Sequence, residues 1–297
     1  MTQAHPSLVI RRIPFEFPDD IATDWIPRDP VLSAMLNGAS LTMPYLEPYL
    51  IRTMREAAEH IDDPVLREDA KGFMMQEGQH FRAHRRFNDL LKSKGYPELA
   101  EVEARMEASY ARLSKRSLRT RTAYSAGFES MTMGVTRWLI EDRIRLFAQA
   151  DARVVSMVLW HMVEETEHKR VAFDVYQALF GGSLRGYLAR MVGVFHGSLD
   201  VMRYSMQGYR TILRKNGRWY QLRSRIGLAR RLWWFVRHVG PYLLRAALPG
   251  HDPRHERDPD WVIAWIRGYA RVDGQGVPLL DTHHPEIPVP FPEEKAA

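Results

Sequence analysis

Two Glu-x-x-His steps, Glu77 to His80 and Glu165 to His168, each follow a lone glutamate set among apolar residues, at intervals of 30 from Glu47 and 36 from Glu129. On a helix, positions i and i+3 share a face, so each step aims a carboxylate and an imidazole at one point. Two lone glutamates plus two such steps form the donor set of a carboxylate-bridged pair of metal ions. No other Glu-x-x-His occurs among the 12 histidines of the chain, and both steps fall in long segments with few helix breakers. His161 stands four residues before Glu165, extending the second step to a stripe of His161, Glu165 and His168 on one face. The candidate ligands are Glu47, Glu77, His80, Glu129, His161, Glu165 and His168, and the cofactor they imply is two metal ions.

The chain has no cysteine, which excludes thiolate sites, disulfides and a cysteine nucleophile. Carboxylate and imidazole donors suit Fe, Mn or Zn. An iron pair would activate O2 and, with an electron donor, oxidise a C–H or N–H bond. Zinc or manganese would lower the pKa of a bridging water for attack on an ester or phosphate. The expectation is the iron case, an O2-dependent oxidoreductase of the oxidase or monooxygenase kind acting on a hydrophobic small molecule. The alternatives are a metal-dependent hydrolase and a non-catalytic metal-binding or membrane-surface protein. Met74, Met75, Met131, Met133, Met157, Met162, Phe73, Phe81, Phe128 and Trp160 lie near the ligands in sequence. They read as bundle core that is compatible with an apolar pocket.

Two neighbours of the ligands have less defined roles. His84, seven residues after Glu77, reads as a surface histidine in the basic run with Arg82, Arg85 and Arg86, with a role as outer donor or substrate contact as the alternative. Glu164 is turned about 100° from Glu165 on the helix and could orient an imidazole from another helix. The cluster His251, Asp252, Pro253, Arg254, His255 reads as a turn.

The elements that must position these residues read as helices throughout, because strand-like alternation is absent. With 297 residues, 45% of them apolar, the chain can bury a large core. Residues 1–43, rich in Pro and Asp, read as an irregular N-terminal arm. Residues 44–182 read as the metal-binding bundle, in helices from Pro44 to about His60, Pro64 to about Lys94, Thr120 to Gln149, and 151 to 180. A shorter charged helix, Glu98 to Ser114, lies between the halves. The fold class expected is all-α, a ferritin-like four-helix bundle core with additional C-terminal helices.

Residues 183–250 change character. From Arg185 to Arg245 thirteen basic residues face one acid, Asp200, a net of +12 against +6 for the whole chain. Aromatics are interleaved with them, and Arg230, Arg231, Trp233, Trp234 and Arg237 suggest a face for an anionic membrane surface. Nucleic acid is disfavoured for want of a recognised motif, and an oligomer is compatible with the sequence. Residues 251–297 read as a covering helix, Asp258 to Tyr269, followed by a Pro-rich tail. No signal peptide or spanning segment is evident, so the expected address is cytoplasmic, with docking to the inner face of the membrane.

Over roughly residues 10–250 the chain resembles the bacterial family described as predicted metal-dependent hydrolases, which implies a ferritin-like fold. The ligand positions alone are also similar to those of the di-iron arylamine N-oxygenases, in which an extra histidine precedes the last Glu-x-x-His by one turn. That second resemblance implies His80 as the imidazole of one metal and His161 with His168 as those of the other. Glu47, Glu77, Glu129 and Glu165 would be terminal or bridging carboxylates.

Overall fold

Pro, Asp and Ser at helix starts set most of the element boundaries. The computed structural model describes residues 8–269, 279, 280, 282 and 283, and no strand occurs among them. The helices are α1 (Pro30–Ser40), α2 (Met43–Ala58), α3 (Pro64–Ser93), α4 (Leu99–Leu113), α5 (Leu118–Glu141), α6 (Arg143–Phe147), α7 (Ala152–Glu167), α8 (Val171–Phe180), α9 (Leu184–Lys215), α10 (Leu222–Ala246) and α11 (Asp260–Gly268). Asp29, Asp63, Asp151 and Ser183 each accept a backbone N–H of the first turn that follows them, satisfying donors a helix start would otherwise leave free. Gly95 and Gly217, at φ of 102° and 66°, take the chain out of α3 and α9. The protein is all-α.

Two expectations need correction. The segment 1–43 is not irregular throughout, since Asp29 caps α1 and Pro30 opens it. The fourth helical segment is two helices, with His168 capping α7 before α8 begins at Val171. In the basic stretch after residue 183, α9 lies directly along α5 and α1. Gly127 and Gly193 permit that approach: a Cβ on Gly193 would fall 2.1 Å from the carbonyl oxygen of Ala123, and one on Gly127 would fall 2.2 Å from Gly193.

Arg231, expected at a membrane surface, is buried and pairs with Asp29 ahead of α1. Trp234 is half-buried and stacks on His238. Arg190 is also internal, donating to the backbone carbonyls of Ala246 and Leu248 at the end of α10, where the helix dipole favours a cation. Two of the thirteen basic residues therefore serve the interior. Among the described residues no helix is long and apolar enough to cross a membrane. The Pro-rich tail from His284 lies outside the described residues.

Candidate metal centre

Helices α2, α3, α5 and α7 converge at the centre, packed against one another in the main apolar core. Glu47 comes from α2, beside an internal proline. Pro48 lacks the N–H that would bond the Pro44 carbonyl, and Arg85 of α3 donates to that carbonyl instead at 3.2 Å. Glu77 and His80 come from α3, Glu129 from α5, and His161, Glu165 and His168 from α7 and its cap. All seven side chains are buried.

They sort into two groups whose donor atoms lie within 4.8 Å of one another, Glu47 with His80 and His161, and Glu77 with Glu129, Glu165 and His168. Glu165 spans the two. Its Oε1 is 2.8 Å from His161 Nε2 and 3.6 Å from His80 Nδ1, while its Oε2 is 3.4 Å from His168 Nε2. His168 Nε2 is also 3.4 Å from Glu77 Oε1 and 3.7 Å from Glu129 Oε2. Donors held about 2.0–2.2 Å from one ion are separated by about 3.0–3.5 Å, so these spacings fit a shared cation. The structure pairs His161 with His80, ring centroids 4.2 Å apart, and not with His168. Residues 161 and 168 are two turns apart, about 10 Å along the axis, so Glu165 between them is the group both can reach.

The outer nitrogens of the imidazoles decide what the inner ones can be. Gln76 donates through Nε2 to the Val9 carbonyl at 2.9 Å and to Glu167 at 2.7 Å, so its Oε1 accepts from His168 Nδ1–H at 2.9 Å. Asn88 donates to the Ser40 carbonyl at 3.0 Å, so its Oδ1 accepts from the Ser40 hydroxyl at 2.7 Å. Ser40 Oγ must then accept from His84 Nδ1–H at 2.8 Å, and His84 Nε2 from His161 Nδ1–H at 2.8 Å. Burial, and then the nearby His161, hold His84 well below the usual imidazole range, so it is neutral and the chain runs one way. His80 Nε2 donates to Glu164 Oε2 at 2.9 Å, while Arg11, fully buried, donates to Glu164 Oε1 at 2.9 Å.

These tautomers, assigned from their partners, leave lone pairs on His80 Nδ1, His161 Nε2 and His168 Nε2, all directed at carboxylate oxygens. An acceptor facing an acceptor is unfavourable unless a cation or a shared proton lies between them. Among the described residues, both oxygens of Glu47, Glu77 and Glu129, Glu165 Oε2, His80 Nδ1 and His168 Nε2 are buried without a hydrogen-bond partner, where buried polar groups are normally satisfied. Burial, and then the charge of Glu165, push the Glu47, Glu77 and Glu129 carboxyls well above their ordinary range. Burial opposes ionisation of Glu165 as well, but in the metal-free fold a proton shared with the His168 and His161 imidazoles outweighs it and holds this carboxyl well down. Four carboxylates and three neutral imidazoles carry −4, which two divalent cations neutralise. The residues present therefore fit a pair of metal ions.

His84 is not at the surface: α1 covers it through Ser40. Glu164, raised by burial to about 8 against the pull of Arg11, faces His80 from the neighbouring helix. Arg11, Gln76, Ser40 and Asn88 carried no sequence signal. Arg11 also bonds Glu167 through Nη1 and Nη2 at 2.8 and 3.1 Å and lies 5.0 Å over Trp265. Edge-on contacts of Phe73 with His168 and Trp160 with His80, at 4.7 and 4.8 Å, wall the imidazoles.

Comparison with protein families gives a match over residues 9–257, to the family described as predicted metal-dependent hydrolases. The chain belongs to that family. No curated protein and no solved structure matches it. Membership in the metal-dependent hydrolases overturns the expectation of an iron oxidase or oxygenase supplied with O2 and an electron donor. The donor set could not separate the two, because carboxylates and imidazoles serve redox and Lewis-acid metals alike.

Proposed function

We propose that the protein is a two-metal hydrolase in which Glu47, His80 and His161 hold one divalent cation, Glu77, Glu129 and His168 hold the other, and Glu165 is shared. The observation that carries this is the convergence of His80 Nδ1, His161 Nε2 and His168 Nε2 on four buried carboxylates, seven of whose eight oxygens have no hydrogen-bond partner among the described residues, and the family description supports it. Zinc or manganese suits both the donors and the reaction. Bound in this pair, the cations would supply Lewis-acid polarisation of the scissile group and a water made nucleophilic near neutral pH.

The chain's own residues prepare that chemistry. Glu165 presents one oxygen to each group. Arg11 and Glu164 orient His80, Gln76 orients His168, and the His84–Ser40–Asn88 chain orients His161. Phe73 and Trp160 keep water from the imidazole faces. Metal analysis of purified protein, with hydrolysis assayed before and after chelation, tests the proposal. About two divalent ions per chain and activity restored by zinc or manganese are expected; a protein that binds none, or hydrolyses equally well without metal, refutes it.

The outer face of α10 supports a further proposal about address. Trp233, 62% exposed, stands among exposed Ile226, Arg230, Val236 and Arg237, a mixture suited to the headgroup level of an anionic membrane.

A further inference from the structure

A cavity of about 180 Å³ lies beside the candidate centre, between α1, α5, α7, α9 and α10. Its wall is apolar and holds seven of the 14 methionines, among them Met131, Met157 and Met206. No Lys, Arg, Asp or Glu lines it. Of its few polar residues, Ser40, His84 and His161 are joined by hydrogen bonds and so form one polar end. That end is also where His161 enters the group with Glu47 and His80.

Protein interiors rarely leave such a space unfilled, and apolar cavities of roughly 150 Å³ take up molecules such as benzene. Methionine walls adapt to the shape of a flexible guest. An anionic group would find no cation in this wall and would carry its desolvation cost uncompensated. The guest is therefore neutral and apolar along its length, with a polar group only where it meets the histidines.

We infer that the cavity holds the acyl arm of the substrate, a neutral carboxylic ester whose arm is one aromatic ring or a chain of about six to eight carbons. The ester group lies at the Ser40–His84–His161 end. The inference rests on the hydrolase reading above. In the reaction the oxygen of water bonds to the acyl carbon, the acyl C–O bond breaks, and the departing alcohol takes a proton from that water.

Trp25 and Trp138 line the cavity, so their emission reports its filling without turnover. Titrating the full chain with straight-chain alkanols of four to twelve carbons should give saturable binding that tightens about fourfold per methylene and levels off near eight carbons. Ala39→Phe and Val135→Phe fill the cavity from α1 and α5 and should each weaken octanol binding at least about tenfold, with metal content unchanged; if either variant fails to fold, the chain-length profile of the unaltered protein decides. Absence of saturable octanol binding, or affinity that rises without a break to twelve carbons, overturns the inference, as does folded, filled protein that binds octanol like the parent. Octanol binding without hydrolysis of any ester by metal-loaded protein would sink the hydrolase reading instead. Ester hydrolysis indifferent to acyl length, with no octanol binding, would sink the cavity assignment alone.

Discussion

Removing the metal ions should reverse the way stability depends on pH. In the metal-free fold, Glu47, Glu77 and Glu129 have pKa values raised well above ordinary by burial and by Glu165. A group raised on folding contributes stability that is fully present below its unfolded pKa, about 4.3, and lost as pH climbs toward the folded value. Each such carboxyl costs about 1.4 kcal/mol per pH unit in that interval. Glu164, raised to about 8, acts in the same direction. His80 and His84 are depressed, chiefly by burial, so they lose stability as pH falls below about 6.5 and partly mask the carboxyls there. Glu165 is depressed as well, but it acts only below about 4.3.

The clean window is therefore pH 6.5 to 8. Across it the chelated protein should lose at least about 1.4 kcal/mol per unit, and as much as about 4 if three carboxyls act together. At roughly 2–4 °C per kcal/mol for chains somewhat shorter than this one, that is a fall in Tm of several degrees per unit. With cations present the carboxylates are ionised in the fold, and metal binding tightens with pH because it displaces protons. Thermal unfolding followed by circular dichroism at three pH values, with chelator and with excess zinc, should give a falling series and a flat or rising one. Parallel series, or chelated protein equally stable from pH 6.5 to 8, would refute the charge argument.

Four other outcomes follow from named contacts. Gln76→Leu removes the acceptor that holds His168 and should weaken metal binding about 10- to 100-fold without unfolding the protein; unchanged affinity against a chromophoric chelator would show that His168 needs no such partner. Arg11→Met leaves Glu164 and Glu167 facing each other without their buried cation and should cost about 3–5 kcal/mol, so an unaltered melting temperature would count against it. The two metal positions have unlike protein donor sets, two imidazoles at one and a single imidazole at the other, so zinc titration should resolve a tight and a weaker step, and two identical steps would contradict the grouping. Vesicles rich in anionic lipid should bind the protein at low salt, and Arg230→Ala with Arg237→Ala should weaken that binding by about 2 kcal/mol; no binding at low ionic strength would remove α10 as a membrane face.

What the sequence made legible is what a helix encodes locally. Glu77 with His80, and Glu165 with His168, meet because three residues is nearly one turn, and their convergence with Glu47 and Glu129 needed only that four helices face inward. The pairing of imidazoles was not local. Whether His161 joins His80 or His168 depends on how α3 and α7 are rotated and staggered, and the resemblance to another enzyme's motif pointed the wrong way. The orienting groups were less visible still, since Arg11 reaches Glu164 across 153 positions, Gln76 reaches His168 across 92 and Ser40 reaches His84 across 44. Arg11 sits in a segment whose Pro and Asp content concealed both its burial and α1. The break after His168 had no Gly or Pro to announce it. His84 was misread because Arg82, Arg85 and Arg86 made its neighbourhood look solvated, although four residues after His80 it had to share that histidine's side of α3. A buried histidine beside a metal-binding face, rather than the charge of its sequence neighbours, was the physically stronger signal, because helical rotation places i+4 over i whatever residues lie between.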